Sequence, residues 1–191
     1  MKSNKSANRI RIIGGDWRSR IITFPAIEGL RPTPDRVRET LFNWLGQTLY
    51  GKTCLDLFAG SGVLGFEALS RGAERVVMVE NTKAAVDSLK QNAMLLNAER
   101  LTVTNGDALT FLKSTKEQFD VIFLDPPYQA KLLPTLFPVL QERLRPEGKI
   151  YFESNQPEDL PQGWKIIKEG RAGAVRFQLA QYIGANSEIT S

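Results

Sequence analysis

The sequence predicts an α/β fold built on an open, mostly parallel sheet with helices on both faces, and three observations carry that prediction. From residue 52 onward short apolar runs alternate with helical stretches, which is the rhythm of successive βαβ units. The apolar runs are short, of strand length, as an open parallel sheet requires. The last two runs, WKIIKE and AVRFQLAQY, flank Gly170 to Gly173 and read as a closing antiparallel pair.

In chain order, the element before the sheet is RIRIIGGDWRSRIITF at 9–24, two β-branched runs around Gly14-Gly15-Asp16, which predicts a hairpin. RPTPDRVRETLFNWL follows, with Thr33 placed as helix N-cap and Pro34 as first helical residue. Val37, Leu41, Trp44 and Leu45 share one face of that helix. The sheet then reads as TCLDLF, RVVMVE, LTVTN, FDVIFLD and KIYFES, separated by helices at VLGFEALSRG, KAAVDSLKQNAMLLN, ALTFLK and 131–144. With the terminal pair this makes seven strands.

At 191 residues and 42% hydrophobic, the chain has material for one globular core. The expected division is a basic extension with its hairpin at 1–30, the sheet domain at 31–185 and a tail at 186–191. The start, MKSNKSANRIR, has no apolar run of the signal-peptide kind, and no uncharged stretch is long enough to span a bilayer, so a cytoplasmic, membrane-free protein is expected. Zero histidines and a single cysteine exclude a disulfide framework and a cysteine-based zinc cluster, and no metal is expected. Cys54 sits in an apolar run and reads as an inert buried thiol. Chemistry must therefore run on carboxylates, hydroxyls, amides and a bound cofactor.

Charge is uneven: the first 40 residues carry a net +5, leaving −1 for the rest. Arg9, Arg11, Arg18, Arg20, Arg31, Arg36 and Arg38 are the expected nucleic-acid contacts, gripping phosphates rather than reading bases. A merely solvated basic terminus is the alternative. For Arg31, Arg36 and Arg38 a second alternative is pairing with Asp35 or Glu39.

In doubly wound sheets ligands lie beyond the carboxyl ends of the strands, where the strand order reverses. The first sheet strand runs into Asp56-Leu-Phe-Ala-Gly60-Ser-Gly62-Val-Leu-Gly65, whose glycines allow a tight turn and close backbone approach of a ligand to a helix start. Glu80 ends the next strand, placed for the vicinal hydroxyls of a ribose. The spacing of Gly60, Gly62 and Gly65, with an acid 20 residues after Gly60, also satisfies a dinucleotide fingerprint, so a nicotinamide enzyme is a competing reading. Against it, Asp56 would face a pyrophosphate but complements the ammonium of S-adenosylmethionine. Asp107, after the third strand, could accept from an adenine amino group or simply cap a helix. The candidate cofactor residues are Asp56, Phe58, Gly60, Gly62, Glu80, Asp107 and Ala108.

The fourth strand ends in FDVIFLDPPY, where a charge, two prolines and an aromatic terminate an apolar strand at the ligand edge. An exocyclic base nitrogen is a poor nucleophile because its lone pair is delocalised into the ring. Asp125 and the Pro126 carbonyl can accept its two N–H bonds and align the lone pair. The prolines hold that carbonyl and add no competing donor. Tyr128 offers a flat face for a base removed from its stack.

Residues 53–128 resemble class I amino methyltransferases, whose Rossmann-like sheet matches the predicted one. The segments RIIGGDWRSR, RPTPDRVRETLFNWL, LDLFAGSGVLGFEALSRGA and FDVIFLDPPY together resemble the RsmD family of small-subunit rRNA guanine-N2 methyltransferases. DPPY alone would also suit DNA adenine-N6 methyltransferases and, in its asparagine form, protein glutamine methyltransferases. The resemblance implies S-adenosylmethionine as cofactor, 16S rRNA in the small ribosomal subunit as partner, and transfer of a methyl group to N2 of one guanine; a monomer is expected. It also implies that Asp125, Pro126 and Tyr128 form the catalytic site.

Overall fold

A computed structural model describes residues 7–126, 132–157 and 159–184. The first strands, β1 (Asn8–Arg11) and β2 (Ile21–Phe24), pair antiparallel as a separate two-stranded sheet. Their connection is not a tight turn at the glycines. Main-chain bonds from Ile12 to Arg20 and from Ser19 to Ile12 continue the ladder past the strands. The glycines serve a different contact: the Asp16 and Trp17 N–H groups donate to the Ser70 carbonyl and hydroxyl, and the Ser70 hydroxyl donates to the Gly14 carbonyl. Gly15 has φ 73°, and a methyl group there would overlap the Ser70 carbonyl, so the loop can lie on this helix end only without a side chain.

Helix α1 (Asp35–Leu45) buries Val37, Leu41 and Phe42, with Trp44 stacked on Phe177. It begins one residue later than the sequence predicts. Pro34 occupies the N-cap position, and the Thr33 hydroxyl donates to Glu153 instead of capping.

The main sheet contains β3 (Thr53–Asp56), β4 (Arg75–Glu80), β5 (Leu101–Asn105), β6 (Phe119–Leu124), β7 (Leu144–Ser154), β8 (Trp164–Ala172) and β9 (Val175–Tyr182), in the order β5-β4-β3-β6-β7-β9-β8. All pairs are parallel except those made by β9, which lies antiparallel between β7 and β8. The predicted seven-stranded sheet with its terminal hairpin is thus the observed one. β7 starts five residues earlier than KIYFES suggests, because the chain from Leu144 to Gly148 continues the strand through an irregular register that bulges against Phe119.

Helices α1, α2 (Val63–Ser70) and α3 (Lys83–Leu96) cover one face, burying Phe42, Phe66 and Leu89 over Cys54, Met78, Phe123 and Tyr151. Ile12 and Ile22 of the hairpin region join this same cluster. Helices α4 (Ala108–Ser114) and α5 (Leu133–Leu140) cover the other, with Leu112, Leu136 and Phe137 over Leu55, Ile122 and Phe152. Among the described residues no helix is long and apolar enough to cross a membrane.

Candidate active site at the carboxyl edge of the sheet

The chain enters the sheet in its middle at β3, builds outward through β4 and β5, then returns to the other side of β3 with β6. The reversal between β3 and β6 opens the crevice in which such sheets bind ligands. The residues that end these strands are therefore the candidates for chemistry.

On the β3 side, Gly60 and Gly62 take left-handed backbone conformations, φ 51° and 76°, which L side chains adopt only with strain. A methyl group on Gly62 would strike Leu89 and Phe66, and one on Gly65 would strike Met78, so these glycines also let α2 sit close to its neighbours. Glu80 clamps the loop from the next strand: its carboxylate accepts the Gly60 N–H at 3.0 Å and the Thr82 N–H at 2.7 Å. Asp56 is buried, accepts the Gly65 N–H at 3.1 Å, and has a pKa pushed up to about 7. Burial is the largest cause; the Gly65 bond opposes it and the charge of Glu80 adds to it. Phe58 follows β3, half-buried against the cluster beneath α4 and α5, and Ala108 is buried at the start of α4.

Asp107 caps α4, its Oδ1 accepting from the Thr110 N–H at 2.8 Å and the Thr110 hydroxyl at 2.9 Å. These bonds hold its carboxyl below the usual range. The capping alternative is realised, on an exposed side chain that still stands at the end of β5.

On the β6 side, Asp125 is half-buried and Pro126 buried directly after the strand. Desolvation first, then the charges of Glu153 and Asp56, raise the Asp125 carboxyl well above the ordinary range. Tyr128 lies outside the described residues.

Glu153 was not anticipated. It is buried at the end of β7, and its Oε1 accepts the Tyr151 hydroxyl at 2.7 Å and the Thr33 hydroxyl at 3.3 Å. The signal that could have found it is the one that found Asp56 and Glu80, a carboxylate ending an apolar strand at the ligand edge. It was hidden because the strand order that puts KIYFES beside FDVIFLD is not written in either segment.

The arginines divide. Arg9, Arg11, Arg18, Arg20, Arg31 and Arg36 are exposed. Arg11 reaches Asp35 at 3.4 Å, Arg20 donates to the Leu95 carbonyl at 2.9 Å, and Arg36 to the Arg171 carbonyl at 3.5 Å. Arg38 is fully buried and cannot meet a phosphate. Its guanidinium pairs with Glu67 at 3.0 Å and with Asp35, and donates to the carbonyls of Thr33 and Arg11. Glu67, itself buried, also accepts from the Ile13 N–H and from Arg71. Arg38 thus leaves the expected nucleic-acid set and takes the alternative role of pairing with Asp35, inside a buried network joining hairpin, α1 and α2.

The sequence model of the family described as "Conserved hypothetical protein 95" matches residues 10–181. The chain is 42% identical over 189 residues to ribosomal RNA small subunit methyltransferase D of Haemophilus influenzae, covering 95% of this chain and 98% of that protein. It is 41% identical over 184 residues to the protein of the same name from Escherichia coli K12, covering 94% and 93%. Among solved structures it superposes on methyltransferase yhhF of Escherichia coli with a TM-score of 0.82 at 42% identity, covering 92% of this chain and 98% of that one. A glycine loop and an Asp-Pro strand end meeting at the switch point, in a chain alike from end to end to such proteins, place it in the conserved hypothetical protein 95 family as a methyltransferase.

Proposed function

We propose that this methyltransferase uses S-adenosylmethionine to methylate N2 of a guanine in the rRNA of the small ribosomal subunit, acting in the cytoplasm as a monomer on the assembled subunit. The observation that carries the reading is that Asp125 and Pro126 follow β6 at the same sheet edge where the neighbouring parallel strand β3 leads into the glycine loop at 60–65. The relatives named above are small-subunit rRNA methyltransferases, which supports the RNA target.

The residues present suit the cofactor. The clamped loop offers backbone at Gly60 and Gly62 with no side chain in the way, Asp56 offers a carboxylate to an ammonium, and Glu80 and Asp107 end the next two strands. Phe58 and Ala108 complete the wall. When bound, S-adenosylmethionine supplies an electrophilic methyl group on a sulfonium.

The chain's own part is to prepare the nucleophile. Asp125 and the Pro126 carbonyl accept the two N–H bonds of the amino group, turning its lone pair out of conjugation, and their negative character offsets charge that grows on nitrogen. The raised pKa of Asp125 suits it to take the proton the methylated amine sheds. Tyr128 supplies the stacking face for the extruded base. The exposed arginines from Arg9 to Arg36 hold phosphates of the surrounding strand.

The deciding experiment is methyl transfer from labelled cofactor to small subunits of a strain lacking the enzyme, with mass mapping of the product base. A single methylated guanine at N2 is expected. Label on adenine, on DNA or on protein instead would overturn the assignment.

A further inference from the structure

Asp56, Asp125 and Glu153 fall on one face of the sheet at three neighbouring strand ends. Asp56 and Glu153 follow Cys54 and Tyr151 by two residues, and Asp125 follows Phe123 by two; Cys54, Phe123 and Tyr151 all lie in the cluster beneath α1 to α3. The register pairs Phe123 with Tyr151 and Leu124 with Phe152, which brings Asp125 and Glu153 to adjacent positions as the two strands end. Their proximity is felt electrostatically, since the charge of Glu153 is the second cause, after burial, of the raised Asp125 carboxyl.

Glu153 is also held. Two hydroxyls donate to its Oε1, one from its own strand and one from Thr33, 120 residues away at the entry to α1. A buried carboxyl group without hydrogen-bond partners is costly, and the hydroxyls that orient Glu153 offset part of that cost.

Resting on the function proposed above, we infer that Glu153 is the specificity-determining residue of the base site, the acceptor for a ring N–H next to the amino group that Asp125 holds. Two adjacent carboxylates complement an edge that presents two donors side by side. Guanine has that edge, its 2-amino group lying beside N1–H. Adenine and cytosine place a ring nitrogen lone pair beside their amino groups, so Glu153 would face them acceptor to acceptor. The discrimination is therefore built from repulsion of the wrong base as well as attraction of the right one. Thr33 ties this acceptor to the segment that carries Arg31 and Arg36, so the same hydrogen bond aligns base site and RNA-binding surface.

The test compares small subunits carrying guanine at the methylated position with subunits reconstituted to carry 2-aminopurine there. 2-Aminopurine keeps the amino group to be methylated but has a lone pair at N1. The wild-type enzyme should favour guanine by about tenfold or more in kcat/KM. Glu153→Gln, isosteric and able to donate to a lone pair, should narrow that ratio by about tenfold, and Thr33→Val should narrow it less but in the same direction. Because 2-aminopurine also lacks O6, only the change in ratio between variant and wild type isolates Glu153. Fluorescence of 2-aminopurine on binding, with S-adenosylhomocysteine present, gives a readout without turnover, and Glu153→Gln should tighten that binding. An unchanged ratio in both variants, whether activity is kept or lost on both bases alike, would overturn the inference, as would a wild-type enzyme indifferent to the two bases. Failure of the wild-type enzyme to methylate guanine subunits would instead overturn the proposed function itself.

Discussion

The arginines Arg9, Arg11, Arg18, Arg20, Arg31 and Arg36 stand in solvent on the hairpin and the approach to α1, whereas Asp56 and Glu153 at the carboxyl edge of the sheet are buried and Asp125 half-buried. Charges in water act on a partner through screened attraction and release of its counterions. Charges withdrawn from water act at short range on chosen protons, and burial raises the carboxyls of Asp56 and Asp125. On the function proposed above, the same chain separates holding a polyanion from handling one amino group. Arg38 crosses the boundary: two residues after exposed Arg36, it turns inward and becomes part of the frame.

The comparison can be broken most sharply at the buried edge. Asp125→Ala should lower kcat by about 10³-fold while cofactor affinity stays within about threefold, because its contacts form with the amine as charge develops. Single-turnover rates with parallel calorimetry check this, and a matching loss of cofactor affinity would move Asp125 to the wrong side of the crevice.

Next in size is the contrast of neighbouring arginines. Arg38→Ala leaves Glu67 buried with its main cationic partner gone and should cost about 3–5 kcal/mol of stability, Asp35 adding little because it is half in solvent. Arg36→Ala should stay within about 0.5 kcal/mol. Urea titrations of the two variants measure the difference, and equal losses would erase the distinction between frame and surface.

A smaller effect separates the two regions by pH. Without cofactor the folded protein holds a proton on Asp56 that the unfolded chain releases above the ordinary carboxylate range. The associated stability is present at low pH and is lost as pH rises through about 7. A cofactor ammonium favours the ionised form, so S-adenosylmethionine affinity should rise with pH up to about 7, by at most about tenfold per unit. Asp56→Asn should flatten both profiles, and calorimetry from acid to neutral pH would read it. A pH-independent affinity in the unaltered protein would remove the ammonium assignment.

The surface supplies the gentlest test. Neutralising Arg9, Arg11, Arg18 and Arg20 together should reduce the salt dependence of subunit binding by about 0.7 log units for each phosphate no longer engaged, without moving cofactor affinity. Filter binding across a salt series measures it, and an undiminished slope would take the hairpin out of the RNA interface.

The sequence alone determined whatever depends on neighbours along the chain. Apolar runs of strand length separated by helical stretches dictated the parallel sheet, because burial on both faces demands them. Gly60, Gly62 and Glu80 could be read from one βαβ unit, and Asp125-Pro126 from a strand and its stop, since each rests on a local turn. Tertiary structure decided what depends on meetings across the fold. Gly14 and Gly15 looked like a turn and proved to be a seat for Ser70, a residue more than 50 positions away. Thr33 looked like a cap, yet its hydroxyl went to Glu153, and Arg38 looked like a surface charge until Glu67 drew it into the core. A hydroxyl or a guanidinium takes whichever partner the packed fold brings within hydrogen-bond reach, and burial makes that choice binding, because a polar group left without a partner away from water costs more than the local bond it gave up.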